Sequence, residues 1–140
     1  MKLKKNNSGF TLLEIIIVII IVGVLASLAL PRFFKTVEYS RSTEALTSLN
    51  AVRQAMERCY LQRASYATCD VFGNLDVEDP SASPNSHFAT YVMSGLAATT
   101  YTITATRNTR DGGVATHTVF LTNNGATITR GGTTAFSGIR

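Results

Sequence analysis

FTLLEIIIVIIIVGVLASLAL, residues 10–30, is the stretch on which the fold of this chain turns. From Ile15 to Leu30 only Gly23 and Ser27 interrupt the aliphatic side chains. As a helix rising about 1.5 Å per residue, Phe10 to Leu30 spans roughly 30 Å, the thickness of a bilayer's hydrocarbon core. The run of Ile and Val would also suit a buried strand in water, but it is too long for one. At membrane depth the backbone must satisfy its own hydrogen bonds, which selects a helix. A chain of 140 residues has room for one compact domain and cannot bury such a helix on every side. The helix needs lipid, or many copies of itself.

One residue breaks the pattern. Glu14 stands inside the apolar stretch, where a carboxylate costs about 2.5–3.5 kcal/mol at a helix centre and less near an end. Lys5 is nine residues earlier and Arg32 lies at the far end of the stretch, so neither can reach it along the helix. Its partner must come from another subunit or from a newly made chain terminus. Ahead of it, Lys2, Lys4 and Lys5 form a basic head, followed by Asn6-Asn7-Ser8 and the junction Gly9-Phe10. Gly9 presents an unhindered, extended backbone that a peptidase can engage.

The basic head, SGFTLLE, the aliphatic run and Pro31 together resemble the N-terminus of type IV pilins and the related pseudopilins of type II secretion. The resemblance covers about residues 1–35. It implies that a prepilin peptidase cuts between Gly9 and Phe10, that Phe10 is N-methylated, and that Glu14 serves subunit assembly. It further implies an α+β pilin fold whose long helix lays its second half on an antiparallel sheet. The precursor would sit in the bacterial inner membrane as a single span with its N-terminus cytoplasmic. Assembly machinery there would then pass it into an extracellular, homo-oligomeric helical filament. A secretory signal peptide is the competing reading, with Ser27-Leu28-Ala29 as a small-x-small cleavage site. Its apolar region would be shorter and would carry no Glu.

Pro31 removes a helix hydrogen-bond donor and crowds the carbonyl of Ser27, and with Gly23 it predicts a kink or a weak segment. Gly23 and Ser27 also form a small-x-x-x-small pair suited to close helix approach. Beyond Pro31, Val37, Ala45, Leu46, Leu49, Val52, Met56, Cys59 and Tyr60 recur at helical spacing, with Arg41, Glu44, Arg53, Glu57, Arg58 and Arg63 mainly on other faces. One helix from about Phe10 to Arg63 is expected. The sheet that covers its stripe is read from residues 87–93, 100–107, 116–123 and 125–130, short runs rich in β-branched and aromatic residues. Tyr101, Ile103 and Ala105 alternate with Thr, so one face should be buried. Asn123-Asn124-Gly125 and Arg110-Asp111-Gly112-Gly113 supply turns. About three or four strands in a meander follow.

The expected organisation is a leader at 1–9, a membrane or filament-core helix at 10–31, and an amphipathic helix at 32–63. A connecting loop at 64–86, a sheet at 87–130 and a loose tail at 131–140 complete it. Cys59 and Cys69, the only cysteines, are most simply read in an exported chain as one disulfide, the alternative being two unrelated thiols. His87 and His117 lie far off in strand-like runs, so no metal site is read. The acidic trio Asp76, Glu78 and Asp79 matches no calcium loop and reads as solvated.

The formal charge of +4 is carried mostly by the three lysines of the head, and without them it falls to about +1. The arginines are dispersed, so nucleic acid is not indicated as a partner. No nucleophile–His–carboxylate arrangement suggests an enzyme, and no cofactor is implied. Aromatic residues such as Phe10, Phe33, Phe34, Tyr39, Tyr60 and Tyr66 read as packing groups rather than as a conducting path. The functional expectation is a structural pilus subunit, with a minor pilin or a type II secretion pseudopilin as the alternative.

Overall fold

The computed structural model describes residues 10–139, so Gly9 and the lysine-rich head lie outside the described residues. Helix α1 runs over Leu12–Arg63 and is followed by strands β1 (Phe88–Ser94), β2 (Tyr101–Arg107), β3 (Thr118–Asn123) and β4 (Ile128–Gly132). The chain divides into two compact units between Lys35 and Thr36. Among the described residues, the first is helix from Leu12 onward. The second, here called the head, contains the rest of α1, the sheet and every loop.

In the head, Ser42, Ala45, Leu49, Val52, Ala55, Met56 and Cys59 form the buried stripe of α1. They meet the inward side chains of the sheet, chiefly Tyr101, Ile103, Ala105, Val119 and Leu121, in one core. Each fully buried Leu, Val or Met contributes about 1.5–3 kcal/mol. Leu46 and Tyr60 pack on the flank of this core, whereas Val37 takes no part in it. The strands pair in the order β1-β2-β3-β4, all antiparallel, a meander in which each strand neighbours the next.

Strand β2 alternates as its sequence suggests, with Tyr101, Ile103 and Ala105 buried and the threonines between them half-exposed. β1 does not. Phe88 and Tyr91 are both buried although they are three residues apart, an odd spacing that should place them on opposite faces. A register shift between Phe88 and Thr90 inserts the extra residue that returns Phe88 to the core side. Between β3 and β4 the turn spans residues 124–127. Asn123 Oδ1 accepts from the Gly125 amide, and Asn124 Oδ1 accepts from the amides of Ala126 and Thr127. Of Asn123, Asn124 and Gly125 only Gly125 takes a positive φ, 88°, so the side chains of the asparagines do the turning. The fourth strand accordingly begins at Ile128 rather than at residue 125.

Three further features differ from expectation. The connecting loop over residues 64–86 carries more structure than a solvated loop would. Tyr66 and Cys69 are buried in the core, and two short 3-10 turns, Phe72–Asn74 and Pro80–Ala82, shape the remainder. Cys59 and Cys69 form a disulfide with their Cα atoms 6.3 Å apart, joining the end of α1 to this segment. Closing so short a ring contributes about 2–3 kcal/mol.

His87 and His117 sit just ahead of β1 and β3, not within them. Each is the residue at which the chain enters the sheet, where a side chain can still turn aside to a partner.

The tail is not loose either. β4 extends to Gly132, and beyond it Phe136 and Ile139 are buried in the main core. The Phe136 ring lies 5.9 Å from that of Phe88 and edge-on to His117. Gly132 makes this return possible, since a Cβ there would stand 2.6 Å from Phe136. If the tail is part of the core, Phe136→Ala in the detergent-solubilised chain should cost about 3–5 kcal/mol in denaturant unfolding. A change below 1 kcal/mol would return the tail to the surface.

Candidate functional site

The first unit opens with a cap. The Thr11 side-chain oxygen accepts from the Glu14 amide at 3.3 Å, and the Thr11 carbonyl from the same amide at 3.1 Å. Thr11-Leu12-Leu13-Glu14 has the spacing of a capping box, in which the residue before the helix satisfies an orphan amide of the first turn. The S/T-x-x-E spacing is the sequence signal for this cap, although in an apolar run Glu14 reads first as a stray charge. Its position in the first turn also suits the positive end of the helix dipole. Among the described residues, no ion pair takes in Glu14.

From Leu12 to Leu30 every residue except Ala26 is exposed. At about 1.5 Å per residue this is roughly 27 Å of uncovered apolar helix. The helix continues through both Gly23 and Pro31. Space for a Cβ at Gly23 is open to 4 Å, so nothing within the unit requires a glycine there. Ser27 turns its hydroxyl back on the Val24 carbonyl at 2.7 Å, one turn before Pro31 withholds a donor from Ser27's own carbonyl. Phe33 and Phe34 follow, edge to face at 6.1 Å, and both are exposed.

In the head, three charged clusters tie α1 to the loops around the sheet. Arg107 continues the inward alternation of β2 and is fully buried. Its guanidinium donates to both carboxylate oxygens of Glu38, to the His87 carbonyl at 2.7 Å and to Asn108. Arg41 donates to the same Glu38 at 2.6 Å. Burial pushes the Glu38 carboxyl up, but the two arginines outweigh it and hold the group below its ordinary 4.5. Close by, Glu44 takes the His87 amide at 2.9 Å and lies 2.7 Å from its Nδ1, while Asp111 lies 3.6 Å from Nε2.

At the far end of the helix, Glu57 accepts from the hydroxyls of Tyr66 and Tyr101. Burial, then the carboxylate, push Tyr66 up to about 12 and Tyr101 higher still. Beyond it, Arg58 clasps Asp76 with two hydrogen bonds, so one acid of the trio read as solvated is paired. Glu44, Glu57 and Arg58, expected on outer faces of the helix, flank the stripe and hold the loops. From the sequence alone, Arg107, an arginine ending a Thr-rich strand, reads as a polar terminus. The only signal was its even spacing from Tyr101.

A capped, exposed, apolar helix continuing into an α1-on-meander head is the architecture of pilins. The family described as type IV minor pilin ComP, DNA uptake sequence receptor, matches residues 31–117. A prokaryotic N-terminal methylation motif matches residues 4–30. The chain belongs to the type IV pilin family.

Among the relatives of this pilin is the type IV narrow pilus major component PilA5 of Thermus thermophilus. It is 35% identical over 105 residues, 73% of this chain and 90% of that protein. The type II secretion system core protein G of Aeromonas hydrophila is 35% identical over 81 residues, 58% of this chain and 57% of its own. The type IV major pilin PilA of Myxococcus xanthus is 39% identical over 62 residues, 44% of this chain and 28% of its own. The last two matches thus span little more than half, or less, of those relatives. Pilus components and a secretion-system core protein thus stand together among these relatives.

The Glu38 cluster gives the pilin head a pH dependence of known sign. A carboxyl held below its ordinary value stabilises the fold fully above that value, and the contribution is lost as pH falls through the lowered one. Thermal unfolding of the solubilised chain should therefore show stability falling in acid below about pH 4.5. Glu38→Gln should be less stable at pH 7 and lose less on acidification. Arg107→Met, which leaves Glu38 with Arg41 alone and the His87 carbonyl with the Asn108 amide alone, should cost about 1–3 kcal/mol at neutral pH. Identical acid profiles for wild type and Glu38→Gln would remove the cluster from this account.

Proposed function

We propose that this chain is the principal subunit of a type IV pilus, made as an inner-membrane precursor with its N-terminus in the cytoplasm. A prepilin peptidase cuts it between Gly9 and Phe10 and the same machinery methylates the new Phe10 amine. The exposed helix Leu12–Leu30 carries this reading: roughly 27 Å of apolar surface needs lipid before assembly and neighbouring helices afterwards. Gly23 and Pro31 mark the part of α1 that loosens as helices pack.

Glu14 sets the register of that packing. The Phe10 amine freed by cleavage is ordinarily protonated, with a pKa of about 7.7–8.0. It reaches the same apolar layer as Glu14 of a neighbour. Each charge alone is costly there and each satisfies the other, so wrong axial alignments leave both unpaired. Ile and Val side chains supply most of the cohesion but little register, because one resembles the next.

A pseudopilin of a type II secretion system is the second reading, favoured by the 35% identity to secretion protein G. The match along 90% of PilA5 supports the pilus reading. The DNA receptor in the matched family's description is not carried over.

Two experiments test the proposal. Mass spectrometry of sheared surface filaments should find this protein as the main component, starting at methylated Phe10. An intact Met1, or a start near Leu30, would reject the processing step. Glu14→Ala, expressed without any other pilin, should insert and fold its head yet give few or no filaments, and Glu14→Asp should be partly defective. Abundant normal filaments from Glu14→Ala would remove Glu14 from assembly.

A further inference from the structure

The two edges of the head's sheet differ in cover and in charge. β1 is one edge and β4 the other. The Pro80–Ala82 turn, at the end of the acidic segment Asp76–Asp79, packs against β1. Of these acids, Asp76 is held by Arg58, and one oxygen of Asp79 caps the turn through Ser81. Glu78 is exposed, and among the described residues no ion pair takes it in. Arg110 also lies on this side, donating to the Pro84 carbonyl.

At the opposite edge, Arg53 of α1 and Ile128, Thr129 and Arg130 of β4 line a groove of about 510 Å³. Among the described residues neither arginine has an ion-pair partner, and Ile128 is exposed between them. The Thr134–Phe136 turn packs on β4 at its Gly132 end, leaving the Ile128–Arg130 end open. An open strand edge invites pairing with another chain.

We propose that these edges form one head-to-head contact between neighbouring copies, with Glu78 of one copy seated in the Arg53–Arg130 groove of the next. The inference rests on the filament reading. A helical filament repeats a heterologous contact, in which two different surfaces of each subunit meet, whereas a surface that meets itself closes a dimer and stops. This head carries such a pair: an unpaired acid on the β1 side, two unpaired arginines and an apolar strip on the β4 side. The contact also covers the open edge safely. Pro80, two residues after Glu78, has no amide to donate, so the acidic segment cannot extend the sheet into a growing strand array. One exposed pair is weak, but it recurs at every subunit, and reversing one partner converts attraction to repulsion along the whole fibre.

The test uses full-length chain in cells that make no other pilin, with membrane level and head melting measured for each variant. Glu78→Arg alone and Arg130→Glu alone should each lower sheared filament yield by about tenfold, since like charges brought together at an interface are costly. The double variant Glu78→Arg with Arg130→Glu should recover most of it, because the pair is restored with its polarity exchanged. In filaments, Glu78→Cys with Arg130→Cys should give a ladder of disulfide-linked multimers under mild oxidant, while either cysteine alone gives none. Wild-type yield from both single reversals, or a filament that assembles without the ladder, overturns the contact and leaves the filament reading intact. Absence of filaments from the wild-type chain overturns the filament reading, and the contact with it. Normal filaments that lose binding to duplex DNA in Arg53→Glu with Arg130→Glu would assign the groove to nucleic acid instead.

Discussion

Helix α1 is 52 residues long, and only its second half has a sheet to lie on. Everything else in the molecule answers to that mismatch. Where the stripe from Ser42 to Cys59 meets the meander, burial of Leu49, Val52 and Met56 against Ile103, Val119 and Leu121 makes a core. Where no such surface exists, from Leu12 to Leu30, the side chains stay exposed and the helix depends on what surrounds it. Lipid and a bundle of like helices both meet the need, and a pilin uses one after the other. The exposed helix is thus a stage of assembly.

The head must withstand that change of surroundings, and its loops are anchored accordingly. Polar groups that flank the stripe reach outward to each of them. Glu38 and Glu44 hold the approaches to β1 and β3 through Arg107 and His87. Glu57 takes the two tyrosine hydroxyls, and Arg58 takes Asp76. The disulfide adds a covalent tie at the helix end. Arg107 matters most among these, because its guanidinium is fully buried and survives only by satisfying a carboxylate and two loop residues at once. It makes the end of the sheet specific as well as stable.

The same division of labour separates cohesion from register. Apolar side chains between Ile15 and Leu30 are nearly interchangeable, so they bind strongly and align poorly. In the assembly we propose, alignment falls to sparse charged groups: Glu14 with the amine of a neighbouring Phe10, and, in the head, Glu78 with Arg53 and Arg130. Such groups add little free energy when paired and subtract much when mismatched, which is the property a repeating assembly needs.

Residue spacing along the chain was enough for the long helix, its apolar and amphipathic halves, the α+β class and the alternating face of β2. These follow from spacing within one element, and spacing is local. The partner of Cys59 was also legible, since the chain contains one other cysteine. That Phe88 and Tyr91 share a face follows from the folded arrangement, because the register shift in β1 is set by pairing with β2. It alone brought Phe136 and Ile139 back beneath the sheet, through a stretch whose Gly, Thr and Ser content reads as loose. It alone turned Arg107, Glu38 and His87 into one cluster. Those partners lie between 20 and 69 residues apart, and no local pattern records which distant segments the meander will bring together.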